Sequence, residues 1–233
     1  MVWAAAVAVV VCGVAYCFVA LWPTSQVHPE PVAGRTDVDQ KAVAARASAG
    51  DPQAQLQMGI WGLDKAIRPG EYREAGEWLR KAAEAGIVEA QYRLGTLYQS
   101  GRLAGEDPTN TLFWLEKAAA QRHVAALYSL GSMYGTGRGV TRDQQAAVRY
   151  FRQAAELGDA YAQYNLARRC EEGQGTATDL VEAWKWFELA DSGGIASAND
   201  GKHVLESRIT PQQLEQARRA VEEFRKQAAA LRK

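Results

Sequence analysis

The sequence predicts an all-α protein, a right-handed α-solenoid built from stacked helical hairpins. Three observations lead to this prediction: a repeat of 36 residues, helical spacing of the apolar residues inside each repeat, and glycines after the predicted helices. The repeat aligns over four strides without a gap. Its clearest columns are Ala54, Ala90, Ala126, Ala162 and Ala198; Gly59, Gly95 and Gly131; and Trp78, Trp114, Tyr150 and Trp186. Self-similarity at this period is typical of stacked repeats, in which each unit buries its apolar face on its neighbours.

The first helix of a unit is clearest after residue 125. Ala126, Leu130 and Tyr134 follow each other at intervals of four residues, which places them on one helical face. Gly131 costs about 1 kcal/mol of helix propensity relative to alanine. Because glycine nevertheless recurs in this column, we predict that it lets the partner helix approach closely. Gly137 is predicted to end the helix, since glycine tolerates the left-handed conformation found there.

The second helix of the same unit is predicted to begin after Asp143, a residue type that caps helix N-termini. Its apolar face comprises Ala147, Val148, Phe151, Ala154 and Ala155. Gly158 is expected to end it, and Asp159 can cap the first helix of the next unit. Gly50, Gly86 and Gly194 occupy the column of Gly158, and Arg122 alone breaks that column.

These positions resemble the Sel1-like repeat, a helical hairpin of the tetratricopeptide type. The residues that carry the resemblance in this unit are Ala126, Leu130, Gly131, Tyr134, Gly137, Gly139, Val140, Asp143, Ala147, Tyr150, Phe151, Ala154, Ala155 and Gly158. The resemblance covers roughly residues 38–206. The unit at 54–89 departs most, since Gly62, Lys65 and Glu71 stand where Tyr98, Gly101 and Asp107 stand one stride later.

The chain has 27 Lys and Arg residues and 27 Asp and Glu residues, so its formal net charge is zero. A balanced charge gives no overall field to attract a polyanion. Nor does the sequence contain a basic run interleaved with aromatic residues. We therefore predict no binding of nucleic acid.

The N-terminal segment 1–22 is predicted to be an uncleaved transmembrane anchor. Residues 2–22 contain no charged side chain and, at about 1.5 Å per residue, can span the roughly 30 Å apolar core of a bilayer. Trp3 and Trp22 stand at its ends, where such rings favour the membrane interface. The alternative is a cleaved secretory signal, although no Lys or Arg precedes the apolar run. Residues 23–36, with three prolines, are predicted to form an extended linker.

The solenoid itself is predicted over residues 37–206. Asp37 is expected to cap a helix that runs to Ala49, the second half of an incomplete unit. Four 36-residue units follow, and a lone first helix is expected around 195–205. Residues 207–233 are predicted to form a capping helix, with Thr210 as N-cap and Pro211 at the first helical position. Its charged outer face suits the end of a stack.

No catalytic or metal-binding constellation can be identified from the sequence. Cys170 stands in the column of Tyr98 and Tyr134, which indicates a buried structural thiol. The histidines, at positions 28, 123 and 203, lack the spacing of zinc ligands. His123 is interpreted as a surface substitution at a turn. We therefore predict no enzyme activity, no cofactor and no metal ion.

Function is instead expected on a surface. In stacks that resemble tetratricopeptide repeats, the first helices line the concave side, and their non-core side chains face inward. The predicted partner-binding residues are Tyr92, Arg93, Thr96, Tyr128, Ser129, Ser132, Tyr161, Asn165 and Arg168. Tyr92, Tyr128 and Tyr164 recur at one column, so either packing between units or partner contact explains them. Tyr161, Asn165 and Arg168 have no counterpart in their columns, which favours binding.

The resemblance implies a protein-interaction module of the bacterial envelope with its repeats in the periplasm, and the predicted anchor would hold it in the inner membrane by one helix. One hypothesis is an immunity-type inhibitor, because some phospholipase effectors of the type VI secretion system are paired with Sel1-like-repeat immunity proteins. An alternative is an assembly or signalling adaptor for envelope enzymes or secretion machinery. A remote alternative is a cell-wall or β-lactam hydrolase, but the related branch carries cysteine pairs that this sequence lacks.

Overall fold

The computed structural model describes residues 37–66, 68–103 and 107–230, so the predicted anchor and linker lie outside the described residues. Within these ranges the chain forms helices and no strand. The helices are α1 (Asp37–Ser48), α2 (Pro52–Lys65), α3 (Pro69–Glu84), α4 (Val88–Gln99), α5 (Pro108–Ala120), α6 (Val124–Thr136), α7 (Gln144–Glu156), α8 (Ala160–Glu172), α9 (Leu180–Ser192), α10 (Ala196–Glu206) and α11 (Pro211–Ala230).

Four helical hairpins follow one another along the chain: α2–α3, α4–α5, α6–α7 and α8–α9. The second helix of each hairpin packs against the first helix of the next, which builds a continuous stack. α1 packs on α2 as the second half of an incomplete unit, although Asp37 is its first helical residue rather than a cap. α10 is the expected lone first helix and packs on α9. The predicted all-α solenoid is confirmed.

The glycine column inside the first helices brings the two helices of a hairpin into close contact. A Cβ atom built on Gly95 would lie 2.9 Å from Cγ of Leu115, and one on Gly131 would lie 2.8 Å from the Phe151 ring. Leu115 and Phe151 are both buried. The predicted packing reason for these glycines is therefore confirmed.

Aspartates are the N-caps of five described helices, α2, α5, α7, α8 and α9, and two of these caps, Asp143 and Asp159, were predicted. The carboxylate of Asp143 accepts a hydrogen bond from the Ala146 amide at 2.9 Å, and that of Asp159 accepts one from Ala162 at 2.6 Å. Gly158 then adopts a positive φ of 93°. In the same column Arg122 takes a φ of 61°, an uncommon conformation for a residue with a side chain.

The C-terminal helix α11 closes the stack by packing on α9. Its start has the predicted cap: the Thr210 hydroxyl accepts a hydrogen bond from the Gln213 amide at 3.2 Å, and the Gln213 side chain accepts one from the Thr210 amide at 2.9 Å. Val221 is buried, and the Phe224 ring meets the edge of Trp186 at a centroid distance of 5.5 Å.

Candidate protein-binding face

The predicted binding residues all lie on the first helices α4, α6 and α8, at positions left outside the buried core of each helix. In α4, for example, Ala90 and Leu94 are fully buried, whereas Tyr92 and Arg93 are half-buried. We use the name first-helix face for these residues: Tyr92, Arg93, Thr96, Tyr128, Ser129, Ser132, Tyr161, Asn165 and Arg168.

The tyrosines of this face connect successive units. The Tyr92 hydroxyl is hydrogen-bonded to Ser129 of the next unit, and the Tyr128 hydroxyl is hydrogen-bonded in the same way to Asn165. Burial raises the pKa of both phenols. Packing between units, one of the two alternatives for this column, therefore accounts for the placement of Tyr92 and Tyr128.

Tyr161 and Asn165 extend this contact on α8. The Tyr161 ring meets the edge of Tyr128 at a centroid distance of 6.3 Å. The Asn165 side-chain amide also donates a hydrogen bond of 2.8 Å to the backbone carbonyl of Tyr161. Three side chains from two units are thereby held together, so this part of the face has a defined shape before any partner arrives.

His123 is not the surface substitution that the sequence predicted. It is the N-cap of α6: its Nδ1 accepts a hydrogen bond from the Ala126 amide at 3.3 Å. Its ring stacks on Tyr92 at a centroid distance of 4.5 Å, and its Nε2 lies 3.1 Å from the Glu89 carboxylate. The prediction was wrong because it overlooked the column, in which Asp51 and Asp159 are also N-caps.

Arg93 is held by its own helix. Its Nε donates to Glu89 at 2.5 Å, one helical turn earlier, and its side chain remains 34% exposed. The hydrogen bond from His123, together with the charge of Arg93, lowers the pKa of Glu89 against the opposing effect of burial. Sequence reasoning missed Glu89, whose carboxylate contacts Arg93 on its own helix and His123 of the next unit.

Arg168 is the most accessible member of the face, with 53% of its side chain exposed. It forms an ion pair with Glu172 on the same helix, and it is also hydrogen-bonded to Tyr164. The bond to Glu172 raises the pKa of Arg168. The guanidinium is therefore fixed in position and still open to solvent.

Thr96 and Ser132, two of the remaining polar residues of the face, form hydrogen bonds within their own helices. The Thr96 hydroxyl donates to the Arg93 carbonyl at 2.7 Å. The Ser132 carbonyl accepts from Thr136 at 2.8 Å. Neither residue is buried, so both add small polar groups to the first-helix face.

Cys170 is fully buried, as predicted, and burial raises its pKa to about 12, which keeps the thiol protonated at neutral pH. Over residues 37–66, 68–103 and 107–230, no group of three or more His, Cys, Asp or Glu side chains is placed to hold a metal ion. Among the helices in these ranges, none is long and apolar enough to cross a bilayer.

The repeat pattern matches a known family over most of the described stack. The family model for the Sel1 repeat matches residues 52–87, 88–123, 124–159 and 160–190, which are the four hairpins. The chain belongs to the Sel1 repeat family. Sel1 repeats generally act as protein–protein interaction modules and are typically non-catalytic scaffolds.

Solved structures with Sel1 repeats share this fold. A Sel1 repeat protein from Oxalobacter formigenes is 25% identical with a TM-score of 0.63, and the match covers 69% of this chain and 66% of that one. A protective antigen present in uropathogenic Escherichia coli strains, which displays an SLR fold, is 28% identical with a TM-score of 0.51. That match covers 80% of this chain and 48% of the antigen, so the present chain corresponds to about half of its length. Among curated proteins, no significant match to the sequence is found.

Proposed function

We propose that this chain is a non-enzymatic protein-binding module of the bacterial envelope that receives its partner on the first-helix face. The membership of the Sel1 family supports binding to a protein. The uncharged segment 2–22 supports attachment to the inner membrane. The placement of the repeats in the periplasm rests on what the resemblance to Sel1-like repeats implies. The proposed partner is a secreted effector enzyme of the phospholipase type, which the chain would hold inactive as an immunity protein.

The proposal rests on the fixed and solvent-accessible side chains of Arg93 and Arg168. Each guanidinium is fixed by an ion pair on its own helix, and the two side chains remain 34% and 53% exposed to solvent. Fixed side chains lose little conformational entropy on binding, which is the usual advantage of a preorganised surface. Arginine and tyrosine are also the residue types enriched at binding hot spots.

The first-helix face can be tested by replacing both arginines with alanine in the full chain. Loss of one anchor commonly costs about 2 kcal/mol, roughly thirtyfold in affinity. R93A/R168A is therefore expected to lose effector binding, and with it the protection of cells that carry a periplasmic phospholipase effector. The matched control is R149A/R218A, which removes two exposed arginines from α7 and α11.

Two outcomes would contradict this proposal. If R93A/R168A binds as well as the parent while R149A/R218A loses binding, the partner uses the other face. If the parent fails to protect against the effectors but co-purifies with envelope assembly proteins, the adaptor role replaces the immunity role. Circular dichroism and thermal unfolding of all variants separate loss of contact from loss of fold.

The proposed location has its own test. A reporter that is active only in the periplasm, fused after Lys233, is expected to be active. N-terminal sequencing of the mature protein is expected to begin before residue 23. A sequence that begins near Pro23 would show cleavage and overturn the anchor.

A further inference from the structure

A cleft of about 500 Å³ opens between α1, α2 and α3, at the N-terminal end of the described stack. Its apolar lining comprises Ala44, Met58, Trp61, Gly62, Ala75 and Trp78. The lining is completed by Gln40, Lys41, Lys65, Glu71 and Glu74, of which Lys41, Lys65 and Glu74 are exposed to solvent. The cleft shares no residue with the first-helix face, so its interpretation is independent of the proposed function.

The repeat shows what fills the corresponding space elsewhere. One stride after Gly62 stands Tyr98, which is buried and accepts a hydrogen bond of 2.5 Å from Arg80 of the preceding second helix. Two strides after Gly62 stands Tyr134, whose ring stacks on Tyr150 at a centroid distance of 5.6 Å and an interplanar angle of 11°. In both units a tyrosine of the first helix fills the position.

The first unit lacks both of the side chains that meet in the second. Gly62 replaces the tyrosine, and Ala44 of α1 stands in the column of Arg80. The chain also leaves no room for a side chain on residue 62, because a Cβ atom built there would lie 2.8 Å from Cβ of Ala75. The cleft therefore lies beside the position at which the second and third units carry a tyrosine, and residue 62 has no side chain to occupy it.

The wall of the cleft suits an aromatic ring. Trp78 occupies the column of Tyr150, the residue on which Tyr134 stacks. An inserted ring can meet Trp78 in the same way, with Met58 and Ala75 supplying further apolar contact. We propose that this cleft binds one aromatic side chain of a peptide segment presented by a partner protein.

The charges around the cleft specify the residue beside that ring. Glu71 is already paired with Arg68 at 3.2 Å. Within the described ranges, Lys41, Lys65 and Glu74 form no ion pair, which leaves two cations against one carboxylate. A segment with an acidic residue next to its aromatic residue therefore complements the cleft best.

Two capped dipeptides provide the test: N-acetyl-Asp-Tyr-amide as the probe and N-acetyl-Asp-Ala-amide as its control. Binding to the full chain is followed by the NMR signals of the Trp61 and Trp78 indole N–H groups. We expect saturable shifts with the tyrosine peptide and none with the alanine peptide. Ala44→Trp, which fills the cleft from α1, should weaken binding about tenfold or more, whereas Ala45→Trp on the exposed side of α1 should not.

A third variant, Lys41→Glu with Lys65→Glu, keeps the test decisive if Ala44→Trp does not fold, because the loss of both cations should also weaken the acidic probe. Equal shifts with both peptides, or no saturable shift, would overturn the proposal. Binding that appears only after residues 1–36 are removed would assign the cleft to the chain's own preceding segment. Indole shifts that depend on protein concentration without any peptide would assign it to a second copy. Either result would also overturn the proposal.

Discussion

The side-chain amide of Gln163 on α8 donates a hydrogen bond of 3.1 Å to the backbone carbonyl of Ala155 near the end of α7. The same bond joins Gln55 to Ala47 at 3.2 Å and Gln91 to Ala83 at 3.1 Å. All three glutamines are buried. A first helix thus satisfies the carbonyl end of the second helix before it, which ties neighbouring units together by a polar contact as well as by apolar packing.

Replacing Gln163 with alanine should lower the free energy of unfolding by about 1 kcal/mol. The loss is expected at the lower end of the range for buried groups, because the Ala155 carbonyl keeps its bond from the Gly158 amide. Chemical denaturation provides the measurement. Gln153→Ala, at an exposed position of α7, serves as control and should leave stability within about 0.5 kcal/mol of the parent. Equal effects of the two variants would mean that the bond contributes nothing.

Gly95→Ala should destabilise the stack by about 1–2 kcal/mol, even though alanine is the better helix former. The new methyl group would lie 2.9 Å from the Leu115 side chain and 3.3 Å from its backbone nitrogen, which cannot move without shifting α5. The matched variant is Gly70→Ala in α3, where nothing lies within 4 Å of the added Cβ. Thermal unfolding should show a lower midpoint temperature for Gly95→Ala and an unchanged midpoint temperature for Gly70→Ala. A stable Gly95→Ala protein would contradict the close approach of α4 and α5.

The contribution of Glu89 to stability should depend on pH. The hydrogen bond from His123 lowers the pKa of Glu89 in the folded protein, so its stabilising effect is present above its ordinary value and is lost as the pH falls through the lowered value. Glu89→Gln should be less stable than the parent at pH 7, by about 1 kcal/mol or less because the pair is partly exposed. The difference should shrink as the pH falls below the ordinary range of a glutamate carboxyl and through the lowered pKa of Glu89. Denaturation at several pH values tests this, with Glu84→Gln on the exposed side of α3 as control. A difference that grows on acidification would have the wrong sign.

Val221→Asp should detach α11 from the stack. Val221 is 3% exposed and packs in the core cluster that contains Trp186 and Ala190, so a carboxylate there would lose its hydration without gaining a partner. We expect lower helicity, exposed Trp186 and self-association detected by light scattering. Glu222→Asp, one residue further and exposed, should behave as the parent. A monomeric Val221→Asp protein with unchanged helicity would show that α11 does not protect the end of the stack.

The regular part of the fold could be predicted from the sequence because each structural requirement recurs. The glycine column and the aspartate caps each appear several times, and a repeated exception to helix propensity indicates a packing reason. The glutamine bonds were open to the same reasoning, since Gln55, Gln91 and Gln163 share one column. They were missed because Leu127 interrupts that column and because glutamine is usually a surface residue.

The irregular features of the structure depend on contacts between side chains of neighbouring units. An alignment of the repeats shows which residues share a column but does not show these contacts. The role of His123 follows from its ring on Tyr92 and its bond to Glu89, both of which lie in the preceding unit. The cleft requires two substitutions, Gly62 and Ala44, on different helices. Neither residue alone indicates a cleft. The packing of α1 against α2 brings together the two positions that lack a large side chain.

The uniform stride of 36 residues also bears on how such a molecule changes over generations. The four hairpins match the family model without an insertion between them, and each packs mainly on its direct neighbours. Copying or deleting one whole unit by unequal recombination would therefore leave every other junction intact. A single genetic event can therefore lengthen or shorten the stack of hairpins, while α1 and α11 at its two ends stay unchanged.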